Sequence, residues 1–310
     1  MTACYSELST DVLDAESAYS ERSTGDNRGG TEEKMLRTVL LGVVLLSLLV
    51  FLPNLHASPF RALTVSAPLA VAPSRSVMTT CDDFGKIKYP RNFGVENDNW
   101  GSYTAGFTET TDSCVWTNPD KFGWYWNANA QQPHPDYPEI VFGKLYWIES
   151  FSIAPWPFPV AQLKQLLSYA SVAQQTSGMW DLTYDIWITD DRNAASKKDH
   201  MTHEIMIFLN WSGFSDEPCS SAGETFSDGY NTYAYCYKLS SSGWYRHTVA
   251  LQAKGNSATI DILRILQFIQ KKGFSLKYIF TIEFGNEFWF GAGDVTVTSY
   301  SITLNGKTYQ

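Results

Sequence analysis

The feature that most constrains this chain is a series of short segments that alternate apolar and polar residues, set apart by Gly, Pro, Asn and Asp. They lie at 138–144, 147–153, 163–173, 180–189, 203–211, 232–238, 245–251, 277–284 and 294–304. Alternation puts successive side chains on opposite faces of a strand, so each segment reads as a strand with one face buried. Strands at this spacing, with turn punctuation between them, predict an all-β sandwich or barrel. One segment departs from the pattern. Ile262, Ile265, Leu266 and Ile269 recur at three- and four-residue spacing, after Asp261 and before Lys271-Lys272-Gly273. That predicts a single amphipathic helix with favourable end charges and a glycine stop. No internal repeat is evident. Among 310 residues, 44% are hydrophobic, enough for a sizeable core, and the 11 Trp and 17 Tyr exceed what packing alone asks for. Both rings are favoured where a surface must grip a flat apolar face.

The N-terminal quarter has a different character. Residues 1–34 are polar, rich in Ser, Thr and Glu, and without apolar period, which predicts a disordered leader. Residues 38–52 are a Leu/Val run interrupted by Gly42 and Ser47. This run is short of the roughly twenty residues a spanning helix needs. Within 35–57 it suits a secretory signal, with Arg37 as basic flank and Leu55-His56-Ala57 as cleavage site. With the leader retained, Lys34 and Arg37 would hold the N-terminus in the cytoplasm, making 38–52 a signal-anchor and membrane tether. Either way the remainder is expected to be exported. Residues 58–80, rich in Ala, Pro, Ser and Val, read as a linker, and the ordered domain is expected over 81–310 as a monomer.

Cysteine usage agrees with export. Cys4 lies in the leader, which leaves Cys81, Cys114, Cys219 and Cys236. Four thiols in an oxidising compartment predict two disulfides; spacing alone allows three connectivities, and Cys81–Cys114 with Cys219–Cys236 is favoured because each pair closes a local loop. No C-x-x-C spacing supports zinc, and the five His are scattered without metal spacing. No metal and no cofactor is expected. The net charge of −9, without a long basic run, argues against nucleic acid as a partner. Asn210-Trp211-Ser212 is a glycosylation sequon set against a predicted strand.

The carboxylates carry the chemistry. In His203-Glu204-Ile205-Met206-Ile207-Phe208-Leu209, alternation puts Glu204, Met206 and Phe208 opposite a row of branched aliphatics. A lone Glu on the wet side of a strand is usually mere solvation, but a thioether and a ring beside it suit a groove. His203-Glu204 lacks the second His of a zinc-protease helix, since Ile207 stands there. Asp181, Thr183, Asp185 and Trp187 likewise oppose Leu182, Tyr184 and Ile186. Glu287 sits among Phe284, Phe288, Trp289 and Phe290. Aromatic surroundings desolvate an acid and raise its pKa, which suits proton donation. Each has a bland reading too: Asp185 as an ion-pair member, Glu287 as a turn residue with its head in water. Two acids and an aromatic groove are nonetheless what glycoside hydrolysis requires.

From about Cys81 to Leu304 the chain resembles glycoside hydrolase family 12, the small endoglucanases and xyloglucanases. Its motif strand Glu-(Ile/Leu)-Met-Ile-Trp-Leu is matched by Glu204-Ile205-Met206-Ile207-Phe208-Leu209, its Tyr-Asp strand by Tyr184-Asp185-Ile186-Trp187, and its Gly-x-Glu by Gly285-Asn286-Glu287. Its Asn-Asn-x-Trp-Gly segment, bracketed by two cysteines, is matched by Asn97-Asp98-Asn99-Trp100-Gly101 between Cys81 and Cys114. Phe208 replaces the usual Trp, Asp98 the second Asn, and Phe288 a frequent Pro. The resemblance implies a β-jelly-roll of two antiparallel sheets with a concave substrate cleft and the helix on the convex side. It implies Glu204 as nucleophile, Glu287 as acid/base, Asp185 as a partner beside the nucleophile, and retention at β-1,4-linked glucan. Trp100 would be the sugar platform, with Asn97, Met206, Phe208 and Trp126 lining the substrate. Plain cellulose, xyloglucan and mixed-linkage glucan all remain open as polymers. A non-catalytic glucan-binding jelly roll is the rival from another class.

Overall fold

A computed structural model describes residues 77–89, 93–105, 113–131, 133–144, 156–194, 200–214, 218–219 and 223–310. The leader (1–34), the signal segment (35–57) with its proposed tether (38–52), most of the linker (58–80) and the predicted strand at 147–153 lie outside the described residues. The described residues form seventeen strands: β1 (Met78–Thr80), β2 (Gly85–Tyr89), β3 (Phe93–Asp98), β4 (Cys114–Thr117), β5 (Phe122–Ala128), β6 (Tyr137–Gly143), β7 (Phe158–Pro159), β8 (Leu166–Thr176), β9 (Met179–Thr189), β10 (Met201–Ser212), β11 (Glu224–Ser227), β12 (Thr232–Leu239), β13 (Tyr245–Leu251), β14 (Ser257–Asp261), β15 (Tyr278–Gly285), β16 (Phe288–Leu304) and β17 (Lys307–Tyr309). Two α-helices join them, α1 (Trp100–Ala105) and α2 (Ile262–Lys271), together with a 3-10 turn at Val160–Gln162.

The strands form two layers, as expected of a jelly roll. The inner sheet runs β2–β3–β6–β15–β9–β10–β13–β12–β11, with β7 against the start of β15. The outer sheet runs β1–β4–β5–β16–β8–β14, with β17 folded back on β16. Strand β16 belongs to both, since Phe288 pairs with Trp180 of the inner sheet and Gly293 with Thr176 of the outer. Among the described pairings only β10–β13 is parallel.

The alternation read from sequence decides which face of each strand is buried. Leu182, Tyr184 and Ile186 of β9 and Ile205, Ile207 and Leu209 of β10 have no exposed surface and pack against Trp124, Leu166 and Val295 of the outer sheet. Each such side chain contributes about 1.5–3 kcal/mol of burial. The helix behaves as its sequence predicts. Asp261 caps it by accepting from the Arg264 N–H at 3.0 Å, and Gly273 follows it with φ of +97°, a conformation glycine adopts without strain. Phe268 stacks on Phe226 at 4.0 Å and meets Tyr235 at 5.0 Å, which seats α2 against the buried side of the inner sheet. That side faces away from Glu204.

Cys81 pairs with Cys114 and Cys219 with Cys236, the favoured connectivity. Strand β1 lies within the predicted linker, because Met78–Thr80 pairs with Val115–Thr117 of β4. The sequon is structurally engaged, since the Asn210 side chain donates to Asn256 at 2.7 Å.

Candidate active site

Strand register turns the alternating acids into rows across the open face of the inner sheet. The first row reads Thr281, Trp187, Glu204 and Arg246 from β15 to β13. The next reads Val141, Glu283, Asp185, Met206 and Thr248. A third carries Glu96, Glu139, Gly285, Thr183, Phe208 and Ala250. Glu204 and Asp185 therefore share one face of the sheet, on neighbouring strands and diagonal to each other, within reach of side-chain interaction.

Glu204 is only 2% exposed, yet its carboxylate is well provided for. Arg246 Nε donates to Oε2 at 2.7 Å and Trp244 Nε1 donates to the same oxygen at 3.1 Å. Among the described residues nothing donates to Oε1. Trp187 stands beside Glu204 in the row and packs edge-on against Trp244, with ring centroids 5.4 Å apart. A buried carboxylate with a guanidinium partner and one open oxygen is equipped to act as a nucleophile.

Glu287 lies in the two-residue link between β15 and β16. The link is pinned from both sides: Asn286 accepts from Trp124 Nε1 at 2.9 Å and donates to the Asp181 carbonyl at 2.7 Å. Asp181 N–H in turn donates to the Glu287 carbonyl at 2.7 Å. With Asn286 and Phe288 turned into the sandwich, alternation turns Glu287 and Trp289 to the cleft side. Glu287 is thus on the same face as Glu204 but beside Asp181, six residues along β9 from Trp187. At the rise of a strand that is about 20 Å of backbone. Glu283, across from Asp185, is the β15 carboxylate nearer to Glu204 in the register. Asp181 is fully buried, and burial pushes its pKa well up against a smaller lowering by a hydrogen bond from the Glu287 backbone. Tyr137 donates to the Thr183 carbonyl at 2.9 Å; burial raises its pKa first, and Glu139, Asp185, Glu283 and Asp181 raise it further.

Trp100 opens α1 and is half-buried. Asp136 holds that helix start by accepting from the Gly101 and Ser102 N–H groups at 3.1 and 3.0 Å, while its backbone bridges Phe288. The proposed sugar platform and the Glu287 link are therefore fastened to one residue.

The family description Glycosyl hydrolase family 12 matches residues 91–305, the stretch that carries every row described above. The chain belongs to this family. Endoglucanase S of Pectobacterium parmentieri is 24% identical over 245 residues, covering 74% of this chain and 88% of that protein. Among solved structures, a family 12 xyloglucanase from Bacillus licheniformis superposes with a TM-score of 0.64 at 24% identity, covering 74% of this chain and all of that one. The xyloglucanase domain of NopAA, a type three effector from Sinorhizobium fredii solved with cellobiose, gives 0.57 at 20% identity, over 74% of this chain and 99% of that one. The protein is a glycoside hydrolase of the endoglucanase kind.

Within that family 12 frame, two expected substrate residues have other work. Trp126 is buried at 2% exposure and lies flat on Phe288, centroids 4.8 Å apart, so it is core beneath the cleft floor. Strand β5 alternates cleanly there, with Trp124, Trp126 and Ala128 buried and Tyr125 and Asn127 exposed. Asn97 points inward with no exposed surface, donating to the Asp82 and Ser113 carbonyls at 3.2 and 2.9 Å. It ties β3 to the segments around the Cys81–Cys114 bridge. Asn97→Ala is therefore expected to lower the melting temperature while leaving KM unchanged; an isolated rise in KM would return Asn97 to the cleft. The cost should be about 1–3 kcal/mol for the carbonyls left unpaired. Met206 and Phe208 do face the cleft, where they cluster with Trp211, Ala250 and Phe214. Sequence reading missed Arg246 and Trp244, which lie about forty residues from Glu204 and meet it only through the parallel β10–β13 register. It placed Asp181 on the cleft face without a role and did not single out Glu283. Among the described residues no group of three or more His, Cys, Asp or Glu is arranged to hold a metal.

Proposed function

We propose that the chain is an exported endo-β-1,4-glucanase that works with retention. Glu204 attacks the anomeric carbon as the glycosidic C–O bond breaks, and a second carboxylic acid gives its proton to the departing oxygen. That group then takes a proton from water, which attacks the same carbon and releases Glu204. The observation that carries the reading is Glu204 itself: a buried carboxylate on the cleft face, two donors on one oxygen and the other open. Asp185, diagonal to it, adjusts its charge and orientation.

Glu287 is the adopted acid/base because it fills the Gly-x-Glu position of the family motif. A specific observation favours a second reading. Retaining carboxyl pairs stand about 5–5.5 Å apart, and the register sets Glu283 closer to Glu204 than Glu287. Trp100, Met206 and Phe208 are the proposed sugar contacts, since pyranose faces stack on rings and thioethers. The polymer is a neutral β-glucan; the relatives named above include both endoglucanases and xyloglucanases. Release of reducing ends from barley β-glucan, tamarind xyloglucan and carboxymethyl-cellulose ranks the substrates. Proton NMR of the first product should show the β-anomer; an initial α-anomer, or no hydrolysis of any of the three, defeats the proposal.

A further inference from the structure

We infer that Arg246 and Trp244 are the positioning residues of the nucleophile, a role that rests on the reading of Glu204 given above. Strand β13 runs parallel to β10, so Glu204 and Arg246 are direct register partners on the same face. The guanidinium donates through Nε at 2.7 Å, and the pair is buried, with side chains 8% and 3% exposed. Trp244, two residues before Arg246, brings its indole N–H to the same carboxylate oxygen at 3.1 Å. An indole N–H donates only, and a guanidinium stays charged at every working pH. Neither group can therefore exchange roles with the acid.

Two donors on Oε2 fix the plane of the carboxylate and leave Oε1 as the oxygen that forms the bond to the anomeric carbon. Negative charge leaves Glu204 as that ester bond forms and returns when water breaks it. The guanidinium stabilises the returning carboxylate, so it acts on the second half of the cycle as well as on the aim of the first. Misaiming a reacting atom by about 1 Å can cost on the order of 100-fold.

Arg246→Met should lower kcat about 100-fold on barley β-glucan with KM held within about threefold, because the lost interaction concerns the reacting atom and not sugar binding. Arg246→Lys, a flexible point charge, should recover part of the loss. Trp244→Phe keeps the ring but not the N–H, and should cost about tenfold. Labelling by an epoxybutyl β-cellobioside, located by peptide mass at Glu204, should slow in the same order. Should Arg246→Met fold poorly, Arg246→Lys and Trp244→Phe carry the test. Variants that lose thermal stability but keep wild-type kcat and labelling rates overturn the positioning role. A wild-type protein that hydrolyses glucan but takes its label elsewhere overturns the assignment of Glu204, and this inference with it.

Discussion

Glu204→Gln is expected to remove hydrolysis almost entirely, lowering kcat by on the order of 10⁴-fold or more while glucan binding persists. An amide of the same shape keeps the Trp244 contact but cannot form the ester, so the loss falls on chemistry alone. Residual turnover at wild-type rate would remove Glu204 from the mechanism. The companion experiment separates the two acids of the β15 edge. Glu287→Ala and Glu283→Ala are compared with and without sodium azide, a small nucleophile that needs no base. The variant lacking the acid/base should lose activity on polymer and recover turnover with azide, giving the β-glycosyl azide. Rescue confined to Glu283→Ala would transfer the role from the motif residue to the register residue. The physical issue is reach: carboxyl groups two strands apart act on one bond only when they lie near the same rung.

The second large effect concerns acid stability. His203 and His247 lie directly behind the Glu204–Arg246 pair, on the buried face of the same two strands. Their rings are 3.0 Å apart from Nδ1 of His203 to Nε2 of His247, and His247 Nδ1 is 2.9 Å from the Tyr235 hydroxyl. His203 also bonds to the Ser275 backbone. With both rings neutral, one consistent chain exists: Tyr235 donates to His247, His247 to His203, and His203 to the Ser275 carbonyl. A proton on either ring turns the Tyr235 hydroxyl from donor to acceptor, and a proton on both sets N–H against N–H between the rings. Tyr245, Tyr237 and Phe274 pack around the pair and offer no charge to compensate. Burial pushes His203 down to about 4 and His247 to about 3.

The sign follows from linkage. Between the ordinary histidine value near 6.5 and these lowered values, the unfolded chain binds more protons than the folded one. Stability is therefore intact above about pH 6.5, declines as the pH falls toward 4, and levels off below 3. At about 1.4 kcal/mol per pKa unit the two rings together withdraw on the order of 8 kcal/mol once both are titrated, a large part of a domain's stability. Urea midpoints at pH 7.5 and pH 4 should differ accordingly. The double variant His203→Phe/His247→Phe should show a much smaller difference, and an unchanged difference would assign acid lability to the cleft carboxylates instead.

The architecture and much of the site were written locally. Period-two alternation in 180–189, 203–211 and 245–251 reproduced β9, β10 and β13 closely, because one face of each strand is wholly buried and burial alone sets the pattern. The helix was legible for the same reason, with its cap and glycine stop. Strands β2, β3, β4, β11, β14 and β17 were not singled out, being short or buried on both faces, which erases the alternation; β5 was also passed over, although its buried and exposed residues alternate. Helix α1 hides in six residues without an apolar stripe.

The sequence by itself determined that the chain is an all-β structure with acids and rings on one face of its strands, and it favoured local bridges among the four cysteines from Cys81 onward. It also named Glu204, since a carboxylate, a thioether and a ring share that strand's open side. Only the tertiary structure decided what surrounds Glu204. Arg246 and Trp244 reach it across a parallel pairing that no local pattern encodes, and Trp126 and Asn97 turn inward because register and loop closure, not residue type, aim a side chain. Alternation fixes the face a residue occupies; its rung depends on how distant strands align, and catalysis depends on the rung.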